Sequence, residues 1–189
     1  MVRSKKYLHI CPPWYIFHGE GNLRQPKVPL GAAYCIRAAM SVGWHGTIWN
    51  GDLLPEGGEN QFAEEMTSYR DYLTNQSRPD NPIWNELRTI LNEVKPDVVG
   101  ITALTASYPT SLMCAKIAKE ELPSCVVILG GPHPNAVPAD IIKDSFHVDI
   151  AVTGEGEVTL AEILDRVALS QPLGGIPGTV TRQTIAPPR

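Results

Sequence analysis

The feature that most constrains the fold is a run of three apolar segments, each closed by a loop of small residues. They read VVGITALTAS (Val98–Ser107), VVILGGPHPN (Val126–Asn135) and DIAVTGEGEVTL (Asp149–Leu160). Each has a core of β-branched or other apolar residues (after Asp149 in the third), stops at Gly, Thr or Ser, and leads into a helical pattern. Near-continuous apolar strands of this kind are buried on both faces, as in parallel sheets covered by crossover helices. In such sheets ligands sit beyond the carboxyl ends of the strands. Three small-residue loops in succession leave room there for a long ligand lying against bare backbone.

The rest of the chain fits the same βα alternation. A short apolar strand is predicted over 7–11, running into Pro12 and Pro13. The stretch 14–29 is a long loop of aromatics, glycines and His18, and connections of that length in compact domains are usually functional. An Ala-rich helix is predicted over 30–42, with Gly43 placed to cap it, and a second strand over 47–50. Phe62, Met66, Tyr69 and Leu73 recur at helical spacing, giving a helix over 60–75. Pro82 opens another helix, with Ile83, Leu87, Ile90, Leu91 and Val94 on one face. Three βα units follow: strands over 98–102, 125–129 and 148–152, helices over 110–122, 139–143 and 159–169. One last strand is predicted at 179–182. The expected fold class is α/β: a doubly wound, Rossmann- or flavodoxin-like, five-stranded parallel sheet with helices on both faces, plus a short C-terminal strand.

Composition bounds the function. The chain has 189 residues, enough for one domain with a real core, and a net charge of −4 that argues against nucleic-acid binding. No stretch approaches the roughly 20 apolar residues of a membrane span, and the N-terminus lacks a secretory pattern. Cys11, Cys35, Cys114 and Cys125 fall at unrelated spacings, so they read as reduced core thiols of a cytoplasmic protein rather than a disulfide or metal set.

The candidate ligand contacts lie in the three loops. Gly130 and Gly131 lack Cβ atoms where a ligand or another backbone must come close. Thr102, Thr105 and Ser107 supply hydroxyls that either contact a ligand or shape the turn; Thr102, at the strand end, is favoured as a contact. Gly154, Glu155 and Gly156 end the next strand, and Glu157 suits the start of the following helix. GEGE follows the last parallel strand, so it is not the dinucleotide fingerprint, which follows the first. His133 lies in a ligand loop, whereas His9, His45 and His147 read as structural or solvent-facing. No clustered His, Cys or carboxylate spacing marks a metal site, and no G-x-S-x-G supplies a nucleophile.

Together the phrases VPLGAAYCIRAAMSVGW, KPDVVGITALTAS, VVILGGPHPNAVP and VDIAVTGEGEVTLAEIL resemble the N-terminal cobalamin-binding domain of cobalamin-dependent radical SAM enzymes, from about Leu8 to Arg182. The resemblance implies a cobalamin-binding domain over 1–172, with 173–189 as a strand and linker toward a missing catalytic domain. It implies cobalamin as cofactor, contacted by Thr102, Leu104, Thr105, Ser107, Gly130, Gly131, Pro132, His133, Gly154, Glu155 and Gly156. Thr102 would meet the dimethylbenzimidazole nitrogen, and Leu104 with the aromatics of 14–17 would wall the corrin or base. The family's catalytic half carries C-x-x-x-C-x-x-C, absent here, so an iron–sulfur cluster and SAM are expected only in a radical SAM catalytic domain, in the same longer chain or a separate subunit. D-x-H-x-x-G, which supplies the histidine below cobalt in the methionine-synthase type, is also absent. A base-off, histidine-off cobalamin is therefore expected, with His18 as the candidate axial ligand and no other metal site.

On this reading the domain serves methyl transfer or radical SAM chemistry without being catalytic alone. The alternatives are a flavodoxin-like ligand-sensing or signalling module, and a flavin- or nucleotide-binding enzyme. A receiver-type module calls for acidic residues at the first strand end, where this chain has Cys11-Pro12-Pro13.

Overall fold

A computed structural model of the chain describes residues 4–13, 29–51 and 82–187. The helix expected over 60–75, the loop 14–28 and His18 lie outside the described residues. In chain order the elements are β1 (Lys6–Cys11), α1 (Leu30–Ser41), β2 (His45–Asn50), α2 (Pro82–Val94), β3 (Val98–Thr102) and α3 (Tyr108–Glu121). They continue with β4 (Val126–Gly130), α4 (Pro132–Ala136), α5 (Pro138–Asp144), β5 (Ile150–Val152), α6 (Gly156–Ala168) and β6 (Thr179–Val180). The sheet runs β2-β1-β3-β4-β5-β6. The first five strands are parallel, and β6 pairs antiparallel with β5.

Strand alternation builds a separate core on each face. Leu8, Ile10, Val99, Ile101, Val127 and Leu129 face α2, α3 and α5, whose Trp84, Leu87, Leu91, Ile117 and Ile141 complete that layer. Burying a single Leu or Ile in such a layer is worth roughly 1.5–3 kcal/mol. Tyr7, Val98, Ile128, Ile150 and Val152 face the other way, toward Ala39 of α1 and Leu160, Ile163 and Leu164 of α6. Helix α1 packs directly on α6.

The topology fixes where a ligand can enter. From β1 the chain crosses to β2 on one side, then returns past β1 to β3 on the other. The two crossovers run in opposite directions, so α1 and α2 fall on opposite faces and the carboxyl ends of β1 and β3 part around a crevice.

Two elements differ from the sequence expectation. The segment PHPNA, expected as part of a loop, forms α4, because Pro132 takes the first helical position and Gly131 precedes it at φ 108°. Helix α6 begins at Gly156 rather than Thr159, inside the GEGE phrase. All four cysteines are free thiols.

Candidate functional site: a cleft at the strand ends

A cleft of about 240 Å³ opens at the β1/β3 crevice, on the sheet face that carries α1 and α6. Whole drug-sized ligands occupy pockets of roughly 300–1,000 Å³, so this cleft suits one arm of a large molecule. Its floor comes from the strands: Tyr7 and His9 on β1, Gly100 and Thr102 on β3, Ile128 on β4 and Val152 on β5. Gly31 and Cys35 of α1 form one wall, and Gly156, Glu157 and Leu160 of α6 the opposite one. Gly130, Gly131, Pro132 and Gly154 make the rim.

Glycine sets this shape in two distinct ways. A Cβ built on Gly31 or Gly130 meets nothing within 4 Å among the described residues, so these positions border space that those residues do not fill. Gly131 is different. Its φ of 108° disfavours any other residue, and a Cβ there would stand 3.1 Å from the carbonyl oxygen of Ala103. That glycine lets two loops meet.

The three loops are bonded to one another. Ala103 N–H donates to the Gly130 carbonyl at 2.8 Å, and His133 N–H donates to the Ala103 carbonyl at 3.0 Å. Gly154 N–H donates to Asn135 Oδ1 at 2.6 Å, while Asn135 Nδ2 donates to the Gly131 carbonyl at 3.2 Å. The rim is thus preorganised by the chain itself.

Polar groups converge at one end of the floor. His9 is 5% exposed and sits between the Tyr7 hydroxyl, 2.8 Å from Nδ1, and the Thr102 hydroxyl, 2.9 Å from Nε2. Gly100 makes this possible, since a Cβ there would collide with the Tyr7 hydroxyl. Burial lowers the His9 pKa to about 4, which keeps the imidazole neutral at physiological pH. Burial first, and then the Glu157 charge, raise the Cys35 thiol to about 11. Cys35 is therefore a protonated wall residue and not a thiolate.

Of the residues singled out in the sequence, Thr102, Gly130, Gly131, Pro132, Gly154 and Gly156 line this cleft. Leu104, Thr105, Ser107, His133 and Glu155 stand outside its lining among the described residues. Thr105 is exposed and bonds His133 Nδ1 at 3.2 Å, and the His133 ring rests 4.1 Å from that of Tyr108. Ser107 is buried; its carbonyl accepts the hydroxyls of Thr110 and Ser111, which makes it a turn residue that starts α3. Leu104 is half-buried, and Glu155 is the exposed residue preceding α6. Among the described residues no three His, Cys, Asp or Glu side chains gather to hold a metal ion.

Sequence reasoning missed Tyr7, His9, Gly31, Cys35 and Gly100. His9 reads from the sequence as structural or solvent-facing, yet it belongs to the cleft floor. A signal was present: a histidine at the second alternate position of a buried strand, Y-L-H-I-C, must find partners, and Gly100 in the strand paired with it marks a close approach.

The family model for the B12 binding domain matches residues 60–164, more than half of the chain. An uncharacterized methyltransferase of Pyrococcus horikoshii is 35% identical over 95 residues, covering 50% of this chain and 21% of that protein. The cobalamin-dependent radical SAM methyltransferase TokK of Streptomyces tokunonensis is 31% identical over 91 residues, covering 48% of this chain and 13% of its own length. The chain thus spans about a fifth or less of these relatives. Among solved structures, the radical S-adenosylmethionine methyltransferase TsrM of Kitasatospora setae shares the fold with a TM-score of 0.69 at 15% identity, covering 98% of this chain and 30% of that one. The chain belongs to the B12 binding domain family, and cobalamin is its cofactor.

Proposed function

We propose that this domain holds cobalamin base-off, with the nucleotide tail in the cleft between α1 and α6, and presents the corrin to a separate radical SAM catalytic domain. The observation that carries the reading is the space at Gly31 and Gly130, where an added Cβ meets no atom of the described residues within 4 Å. A flat heteroaromatic base fits a slot floored by Ile128 and Val152 and walled by Leu160, with Thr102 and His9 as its polar end.

The residues then divide by task. Gly130, Gly131, Pro132 and Gly154 form the rim past which the tail threads, with Gly156 in the wall beside it. Leu104, Thr105, His133 and Glu155, on the same three loops, are assigned to the corrin and its amide side chains. The Asn135–Gly154 and Ala103–Gly130 bonds keep that rim in shape before the ligand arrives. Apolar floor residues exclude water from the buried base and hold it away from cobalt. Bound cobalamin supplies a cobalt centre able to accept and donate methyl groups.

Methyl transfer or related radical SAM chemistry is the reading for the complete system. Its support is the cobalamin-dependent radical SAM methyltransferase among the relatives and the covered fraction of those longer chains. The iron–sulfur cluster and SAM would belong to the catalytic domain, as part of the same longer chain or as a separate subunit.

The direct test is reconstitution of the chain with hydroxocobalamin followed by gel filtration. Corrin absorption should co-elute with protein at near one-to-one stoichiometry; corrin eluting entirely free of protein overturns the reading. An EPR spectrum of the cob(II)alamin form then reports the lower face. The absence of a D-x-H-x-x-G motif predicts no nitrogen superhyperfine splitting and no change in His18→Ala. Splitting that disappears in that variant would make His18 the axial ligand.

A further inference from the structure

The floor of the cleft carries a hydrogen-bonded chain of three side chains, Tyr7–His9–Thr102, whose direction follows from its donors and acceptors. A neutral imidazole has one donor and one acceptor nitrogen. The direction of the Tyr7 bond therefore fixes the direction of the Thr102 bond. Tyr7 is 1% exposed, so its O–H must find an acceptor inside the protein. Two are within reach, His9 Nδ1 at 2.8 Å and the Cys35 sulfur. An imidazole nitrogen is a far better acceptor than a thiol sulfur, which accepts only weakly. Tyr7 O–H accordingly donates to Nδ1, which leaves the proton on Nε2.

Nε2–H then donates to Thr102 Oγ1 across 2.9 Å. With that lone pair taken, the Thr102 proton points to another acceptor. Among the described residues the Thr102 hydroxyl has no further partner, and the residue lines the cleft.

We propose that His9 is a positioning residue: held between Tyr7 and Thr102 as the Nε2–H tautomer, it makes the Thr102 hydroxyl a donor into the cleft and selects corrinoids whose nucleotide base carries an acceptor nitrogen. This rests on the reading that the base occupies the cleft. A base with no acceptor would leave the Thr102 proton buried and unpaired, which weakens binding more than a lost contact would.

Two measurements test the relay. The first needs no ligand: a long-range proton–nitrogen correlation spectrum of the ¹⁵N-histidine-labelled chain, with His9→Gln used to assign the signal. His9 should show the Nε2–H pattern, and an Nδ1–H pattern overturns the proposal. The second compares the affinity of the chain for cobalamin and for a corrinoid whose tail ends in a p-cresol ring. Cobalamin must release its base from cobalt to bind and the cresolyl corrinoid need not, so the quantity read is the ratio of the two affinities in each variant against the parent, in which that cost cancels. The ratio should shift against cobalamin by roughly three- to tenfold, the range of one good neutral hydrogen bond, in Thr102→Val, which keeps the side-chain shape, and in His9→Leu. It should stay close to the parent value in His9→Gln, whose amide still donates to Thr102. A ratio unchanged in Thr102→Val and His9→Leu overturns the selectivity while leaving the cleft as a corrinoid site. Binding of neither removes the cleft reading and the selectivity together.

Discussion

The backbone N–H of Gly154 donates to the side-chain oxygen of Asn135 at 2.6 Å, joining the loop after β5 to the short helix after β4. The same Asn135 amide donates to the Gly131 carbonyl at 3.2 Å. One exposed side chain therefore ties together the two glycine-bearing segments of the rim. Asn135→Ala should lower cobalamin affinity several-fold while reducing stability by only about 1 kcal/mol, since a typical hydrogen bond nets that much. Isothermal titration beside a thermal melt separates the two effects, and an unchanged Kd would show that the rim holds its shape without the asparagine.

Gly130 and Gly131 should respond oppositely to substitution. Gly130→Val places a side chain into open space at the end of β4, so the fold should keep its Tm while corrin binding is lost. Gly131→Ala meets the Ala103 backbone and an unfavourable φ of 108°. That variant should lose about 1–3 kcal/mol of stability. Urea midpoints and corrin co-elution on the two variants check the contrast.

His9 gives the fold an acid sensitivity of definite sign. Its pKa is about 4 in the folded chain, lowered by burial, against the ordinary value of 6.5. Between these values the unfolded chain takes up a proton that the folded chain refuses, so stability is complete above the upper value and falls as the pH drops toward the lower one. The full effect is roughly 3 kcal/mol. Denaturant unfolding followed from neutral pH downward should show a shallower loss in His9→Gln than in the parent chain. Parallel curves would mean that His9 titrates without restraint.

Arg182 should be the dominant anchor of the C-terminal segment. Its guanidinium donates to the carbonyls of Ile142 and Ser145, each at 2.6 Å, and of Val148 at 3.3 Å. It also stacks over Phe146, 4.8 Å from the ring centroid. Arg182→Ala should lower stability by about 1–3 kcal/mol, the range of charge-assisted bonds. Arg182→Lys should recover only a part, because a point charge cannot fork across three acceptors. Chemical denaturation of both variants measures the difference.

The βα order was legible because each buried strand advertises itself. Val98–Val99, Val126–Val127 and Ile150 open runs with no polar interruption, and Gly or Thr closes them. The strand and helix ends that sequence reasoning placed in these units agree with the structure to within about three residues. The cleft was half legible. Its rim is written in a short run and one further glycine, Gly130-Gly131-Pro132 and Gly154, but its floor is written across strands. Tyr7 lies opposite Val98 and His9 opposite Gly100 only once β1 and β3 are in register. A strand buried on both faces shows no alternation from which to tell which side holds the ligand. Thr105 and Ser107 failed to reach the lining for a related reason: hydroxyls near a strand end serve the backbone and neighbouring side chains as readily as a ligand.

The antiparallel partner of β5 has a mechanical consequence. Thr153 N–H donates to the Gly178 carbonyl at 2.9 Å, and Gly178 N–H donates to the Pro187 carbonyl at 2.6 Å. Tension applied at Pro187 thus has a route two hydrogen bonds long to the residue preceding Gly154. These linked bonds predict that amide exchange at Thr153 and Gly178 shares a single opening free energy. Unseating the segment at Pro187 is therefore expected to loosen the backbone one residue before the cleft rim.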